Sequence, residues 1–241
     1  MEPELWITKL FNDHLAGLGN SILGIVGAHP DPRPWADFVV MQFVVVLLLM
    51  VVAALVRLRL SADRPGNLQQ ALELFYEFVE GQTDDQIGHA GLRYMGYFGT
   101  IFLFILTANL IGIVPCFASP TQNPSVTAGC ALATFIYYNL VGIQANGFKY
   151  AASFAGPVGW LAPMMVPIEI ISHMARPLSL TIRLYANMFA GEQVTMAFLG
   201  LTLFPVPVLF MGLHVFVGLI QAYIFMLLTI VYVAGAVAHE H

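Results

Sequence analysis

Charge is what this 241-residue chain has least of. Only 10% of its residues are Asp, Glu, Lys or Arg, whereas soluble domains carry roughly 25%, and 59% are apolar. A soluble globular fold is therefore disfavoured. Nine basic residues against 14 acidic ones give a net charge of −5. This balance leaves no basic surface of the kind that binds nucleic acid, so no nucleic-acid partner is expected.

Recognisable catalytic motifs are also missing. Neither His-Glu-x-x-His nor Gly-x-Ser-x-Gly occurs, and no Asp follows Asp85, which argues against an intramembrane protease. No repeated halves of the kind found in secondary transporters are visible, although a transporter or channel remains the main alternative function. Cys116 and Cys130 flank a proline-rich loop at no metal-binding spacing, so we expect packing residues in preference to a disulfide. No metal and no cofactor is expected.

The first membrane helix is predicted over residues 36–57, because residues 38–56 form an uncharged run, apolar except for Gln42, that can cross a hydrocarbon core of roughly 30 Å. Three arginines follow at 57, 59 and 64, whereas the 35 residues before the helix contain only Lys9 and Arg33. Basic residues are enriched in cytoplasmic loops. Residues 1–35 are therefore predicted to be an outer N-terminal segment.

Three further segments complete the predicted organisation. Residues 64–90 are predicted to form an amphipathic helix on the cytoplasmic surface, with a soluble helical linker as the alternative, because apolar residues recur at helical spacing in a segment too polar to insert. Residues 94–148, between Arg93 and Lys149, hold no charged side chain. A cluster of prolines divides this segment in two, which predicts a hairpin of two membrane helices. Residues 160–238 are predicted to form a second, tilted hairpin that contains the ion path.

The two helices of that last hairpin are too long for an upright crossing. At 1.5 Å per residue they measure roughly 48 and 52 Å, so either they break at their prolines or they lie unusually flat in the membrane. The prolines are Pro163, Pro167, Pro177, Pro205 and Pro207. The predicted fold class is an all-α integral membrane protein with about five membrane helices, of which the last two are long and strongly tilted, plus one amphipathic surface helix.

Ionisable side chains at membrane depth are costly and are functional candidates for that reason. At 100° per residue, one stripe on the first long helix spans about 100° of arc and contains Glu169, Ser172, Arg176, Ser179, Arg183 and Asn187. Glu192 is nine positions after Arg183 and so points to the opposite side. His214, Gln221 and Tyr232 share one face of the last helix, which can meet Glu192. We infer two polar pathways on opposite sides of Arg183.

Four of the ionisable residues in these two helices also have a possible structural role. Arg183 can act as an interhelical tie if Glu169 or Asn187 accepts its hydrogen bonds, and His214 can be a packing residue. Arg176 is interpreted as a boundary residue whose head group reaches water. His173 fits either interpretation.

Two segments resemble the ATP synthase subunit a family: PLSLTIRLYANMFAGE at residues 177–192 and QAYIFMLLTIVY at residues 221–232. A third, TANLIG at residues 107–112, extends the resemblance over roughly residues 95–241. The resemblance implies that Arg183 faces the carboxylates of the c-ring. It further implies two half-channels. The outer one is lined by Asn187, Glu192, His214 and Gln221, and the cytoplasmic one is lined by Glu169 and Ser172.

The same resemblance implies the setting. The expected partners are the c-ring formed by subunit c, the subunit b peripheral stalk, the rest of the F1F0 complex and the lipid bilayer. The expected place is the bacterial plasma (inner) membrane, with the N-terminus outside and the C-terminus in the cytoplasm. The ring carboxylate on another chain selects the coupling ion, proton or sodium, and a proton is the expectation.

Overall fold

The computed structural model describes residues 4–26, 29, 31–61, 66–114, 117–147, 162–201 and 205–237, and in these ranges the chain is helical with no β-strand. Arg64, Cys116, Lys149 and the predicted limits at residues 160 and 238 lie outside the described residues. The all-α prediction is confirmed. Seven α-helices occur in the described part: α1 (Trp6–Val26), α2 (Asp37–Leu58), α3 (Asn67–Ile87), α4 (Met95–Ile111), α5 (Pro124–Asn146), α6 (Ala162–Leu201) and α7 (Pro205–Val237).

Local chemistry explains where these helices begin and end. In α2, Asp37 in the first turn and Arg57 in the last turn complement the helix dipole. In α5, Pro124 occupies the first turn and the Asn123 side chain accepts a hydrogen bond from the Ser125 backbone N–H at 2.9 Å. The same helix ends at Gly147, whose φ of 56° favours glycine.

Four stretches of the described chain are long and apolar enough to cross a membrane: Asp37–Leu58, His89–Ile111, Pro124–Asn146 and Val206–Val237. The protein is therefore a membrane protein with several spans. Helix α6 is not among these four, and it carries Glu169, Arg176, Arg183 and Glu192. The fifth predicted membrane helix would be α6.

Helices α4 to α7 pack around one apolar core. Fully buried side chains from α4, α5, α6 and α7 meet there, among them Phe98, Ile105, Tyr138, Leu184, Met188, Phe225 and Ile230. Cys130 of α5 is a buried free thiol next to this core, as a packing cysteine should be. Helix α3 packs against α4 and α7, with its Phe75 ring 5.1 Å from that of Phe102.

Helix α1 was not anticipated within the outer N-terminal segment. Its Asn12 side chain exchanges two hydrogen bonds with the Trp35 backbone at 3.0 and 3.1 Å, and the Trp35 indole donates to the Leu15 carbonyl at 2.9 Å. Arg33 pairs with Glu4 at 2.9 Å. These bonds hold α1 against the start of α2.

Helix α6 continues through Pro167 and Pro177 for 40 residues, or about 60 Å at 1.5 Å per residue. Helix α7 has 33 residues and a length of about 50 Å. Pro163 lies in the first turn of α6, and Pro205 and Pro207 lie in the first turn of α7, where proline is tolerated. Of the two alternatives for these long helices, breakage at the prolines is therefore wrong for the described residues.

Candidate functional site

Arg183 lies near the middle of α6, and its Nη2 donates to Ser179 Oγ of the preceding turn at 3.2 Å. In the described part of the chain it forms no ion pair. Glu169 is about 21 Å away along the helix axis, and the described contacts include no hydrogen bond from Arg183 to Asn187, whose Nδ2 donates to Gln221. The interpretation of Arg183 as a tie between helices therefore finds no support in the contacts of the described residues, and its charge is available to a carboxylate from outside the chain.

The position of Arg183 around the helix is defined by its neighbours. Leu180, Leu184 and Met188 are buried and face the core, whereas Leu178 and Ile182 are 60% and 55% exposed. The exposed apolar face of α6 consists of Ile171, Met174, Leu178, Ile182, Phe189 and Met196. At 100° per residue, Arg183 falls at the border between this face and the buried face.

On the C-terminal side of Arg183, α6 and α7 bring together polar side chains that the sequence singled out. Asn187 Nδ2 donates to Gln221 Oε1 at 2.7 Å, and Gln221 is only 2% exposed. Gln221 Nε2 has no hydrogen-bond partner among the described residues. A buried amide hydrogen without a partner is costly, so this atom is a candidate contact for a bound water molecule.

His214 packs directly against Gly191. A Cβ placed on Gly191 would overlap His214 Nδ1, so the helices approach this closely only because residue 191 has no side chain. Glu192 follows Gly191 and is partly buried. The structure thus brings His214 to the α6 segment that contains Glu192, as the shared face of His214 and Gln221 predicted.

Asn109 on α4 is a polar residue of the site for which the sequence predicted no role. It is fully buried, its Nδ2 donates to the Gly218 carbonyl at 3.1 Å, and its Oδ1 accepts from Thr121 Oγ1 at 2.8 Å. A Cβ on Gly218 would be 3.3 Å from the Asn109 Cβ. Because Gly218 lies between His214 and Gln221, Asn109 fixes the position of that part of α7. The available signal was an asparagine inside an apolar span.

On the N-terminal side of Arg183, the structure places Ser172 at the exposed surface of α6 and Glu169 partly exposed. Arg176 is partly exposed, and its guanidinium lies over the Tyr232 ring, 5.3 Å from the centroid. Glu169 and Glu192 therefore lie about 21 and 14 Å from Arg183, in opposite directions along the axis. Among the described residues no cluster of three His, Cys, Asp or Glu side chains suited to a metal ion occurs.

Comparison with known proteins gives one consistent result. The family model described as ATP synthase A chain matches residues 38–234. A protein named ATP synthase subunit a from Solibacter usitatus is 65% identical over 233 residues, which cover 96% of this chain and all of that protein. Proteins of the same name from Koribacter versatilis and Geotalea uraniireducens are 47% and 41% identical; the matches cover the whole of the former and 90% of the latter.

Proposed function

Starting from the fact that the chain belongs to the ATP synthase A chain family and is therefore a membrane component of ATP synthase, we propose how it moves ions. Two offset half-channels enter the protein from opposite sides of the membrane, and neither crosses it alone. Glu169 and Ser172 line the cytoplasmic one, and Asn187, Glu192, His214 and Gln221 line the outer one. Protons pass between them on the carboxylates of a rotating c-ring opposite Arg183.

The proposal is based on the position of Arg183 on α6 and on the groups around it. Its guanidinium has no carboxylate partner among the described residues, it borders an exposed apolar face, and polar groups lie on either side of it along α6. A ring carboxylate has to be neutral while it faces lipid, because burial disfavours its charged form, and it ionises readily beside a cation. Arg183 would therefore release the proton from each carboxylate as that carboxylate passes.

The same charge would also keep the half-channels apart. A guanidinium stays protonated in proteins, so it attracts the carboxylate without itself transferring a proton. A proton that crosses 100 mV yields about 2.3 kcal/mol. This energy is available for rotation only if no proton bypasses the ring, and a fixed cation between the half-channels opposes such a leak.

Helix length supports a flat arrangement beside the ring. To fit about 60 Å of α6 into a core of roughly 30 Å, the helix must tilt by about 60° from the membrane normal, compared with about 20° for an average membrane helix. We assign the exposed apolar face of α6 to the c-ring. The subunit b peripheral stalk and the rest of the F1F0 complex complete the assembly in the bacterial plasma membrane, with the N-terminus outside and the C-terminus in the cytoplasm.

The whole proposal is tested with the assembled complex in lipid vesicles. Added ATP should acidify the vesicle interior when this chain is present, and a complex assembled without this chain should hydrolyse ATP without acidification. If the complete complex hydrolyses ATP but leaves the internal pH unchanged, the chain does not carry protons as proposed. If the coupling ion is sodium, a parallel measurement should show ATP-driven uptake of sodium into the vesicles.

The pairing of Glu192 with His214 gives a specific prediction for the outer half-channel. Either single exchange, Glu192→His or His214→Glu, places two like groups in one small space and should reduce proton flow by about tenfold or more. The double exchange restores one acid and one base and should retain more flow than either single variant. Gln193→His, at the exposed neighbouring position, serves as control. Equal losses in the two single variants and the double variant would contradict the pairing.

A further inference from the structure

Helix α6 contains a weak point beside the Glu169–Ser172 segment. Pro177 has no amide hydrogen, so the carbonyl of His173 loses the donor that an α-helix normally supplies four residues later. A proline inside a helix typically costs about 3 kcal/mol and favours a kink. Nevertheless α6 runs on without a break at this position. Contacts with other helices must therefore hold the segment before Pro177 in line.

The His173 side chain supplies such a contact with α5. It is 8% exposed, and its Nε2 lies 2.9 Å from Asn139 Oδ1 and 3.2 Å from the Tyr138 hydroxyl. Asn139 Nδ2 donates to the Phe135 carbonyl at 2.7 Å, which turns Oδ1 of the same amide toward His173. Because Oδ1 only accepts, Nε2 carries the hydrogen and donates it. The imidazole also packs edge-on against Phe135, with ring centroids 5.1 Å apart.

A second contact one turn later ties the same segment to α7. The Arg176 guanidinium lies over the Tyr232 ring, and Tyr232 in turn contacts Tyr138 at a ring distance of 5.7 Å. Side chains of α5, α6 and α7 thereby form one closed cluster immediately before Pro177. The proposed ion path makes no use of His173.

We propose that His173 is a positioning residue of the ion path: its hydrogen bond to Asn139 ties the proline-weakened part of α6 to α5 and so keeps Glu169 and Ser172 aligned with Arg183. The inference rests on the proposed function. A small bend of α6 would be enough to disturb this alignment. Glu169 lies about 12 Å from Pro177 along the axis, so a bend of about 10° at Pro177 displaces Glu169 by about 2 Å. A displacement of that size is enough to impair a positioned transfer step.

The bond should be insensitive to pH, which separates this role from that of a proton carrier. Both the neutral tautomer defined here and the imidazolium present an Nε2–H to Asn139. The charged or titratable groups near the ring are Glu169 and Arg176 on α6, Tyr138 on α5 and Tyr232 on α7. His173→Gln keeps an amide donor for Asn139 but cannot exchange protons near neutral pH, whereas His173→Leu removes the donor.

The first test measures alignment directly and does not depend on ion transport. Spin labels are attached to Cys substitutions of Leu140 on α5 and Ile170 on α6, which are 52% and 50% exposed, in a Cys116→Ser, Cys130→Ala background of the assembled complex. His173→Leu should broaden the distance distribution between the labels, and His173→Gln should not. The control Asn146→Leu removes a bond of 2.9 Å from α5 to the Ala236 carbonyl of α7 and should leave the distribution unchanged. An unchanged distribution in His173→Leu would overturn the proposal.

The second test links alignment to transport. His173→Leu should lower ATP-driven proton pumping about tenfold, and His173→Gln should pump at the wild-type rate with an unaltered pH profile. Pro177→Ala restores the helical hydrogen bond and should recover pumping in the His173→Leu background. A shifted pH profile in His173→Gln, or no recovery with Pro177→Ala, would refute the positioning role. If even the wild-type complex fails to pump, the proposed function fails, while the distance measurement still decides whether His173 holds α6 in line with α5.

Discussion

Replacing Arg183 with alanine should abolish both ATP-driven proton pumping and ATP synthesis in vesicles that contain the assembled complex. Without a fixed cation nothing at the interface stabilises the ionised ring carboxylate, because its apolar surroundings favour the neutral form. In the proposed arrangement the barrier between the half-channels is also lost, so passive proton conduction should increase. The measurement compares ATP-driven acidification with the decay of an imposed pH gradient when ATP is absent.

Arg183→Lys tests which property of the side chain matters. Lysine keeps a cation but loses the planar fork, and a desolvated ammonium is more easily neutralised than a guanidinium; coupling should therefore still collapse. Ser179→Ala is the matched control, because it removes only the 3.2 Å hydrogen bond to the guanidinium and should reduce pumping modestly. Normal pumping in Arg183→Ala would refute the mechanism. An unchanged passive barrier in that variant would remove only the separating role.

A single methyl group at Gly191 should be almost as damaging. A Cβ at this position overlaps His214 Nδ1, so Gly191→Ala forces either the imidazole to move or α6 and α7 to separate. Alanine is the better helix former by up to about 1 kcal/mol, so the loss of pumping would not reflect a weaker helix. Coupled pumping and assembly of the complex are measured for each variant.

Gly200 provides the matched control for that experiment. It lies on the same helix with nothing within 4 Å of an added Cβ, so Gly200→Ala should pump normally and be neutral or slightly stabilising. Combining Gly191→Ala with His214→Ser removes the overlapping ring and should restore the close packing of α6 and α7, although not the proton transfer proposed for His214. If Gly191→Ala pumps as well as Gly200→Ala, the close packing has no functional importance.

The membrane character and helix class of the protein were predictable because they depend on local patterns. A run such as residues 38–56 has few alternatives to a membrane helix. The phase of Arg183, Asn187 and Glu192 around α6 was likewise predictable, since the helix continues without a break past Glu192. Proline effects were harder to anticipate, because a proline's cost is set by neighbouring helices, here through His173.

Contacts between residues far apart in the sequence could not be predicted from the sequence pattern. Asn109 meets Gly218 across 109 positions, and His173 meets Asn139 across 34, and no periodicity encodes such a pairing. Helix α1 was missed for a related reason, since its mixed composition becomes interpretable only through its hydrogen bonds with Trp35. The family resemblance assigned Asn187 and Gln221 to the same half-channel but did not predict the hydrogen bond between them, and the role of Asn109 could not be derived from its spacing.

The contacts of α7 carry a consequence for biosynthesis. This helix is the last of the described helices to leave the ribosome, yet it supplies the Gly218 carbonyl for Asn109, the Tyr223 hydroxyl for Gln82 and the Ala236 carbonyl for Asn146. Until it inserts, Asn109, which is fully buried in the folded protein, lacks its acceptor on α7, and an unsatisfied polar group inside a membrane is costly. We therefore expect the nascent subunit to be more accessible to membrane proteases before α7 inserts than after it has inserted.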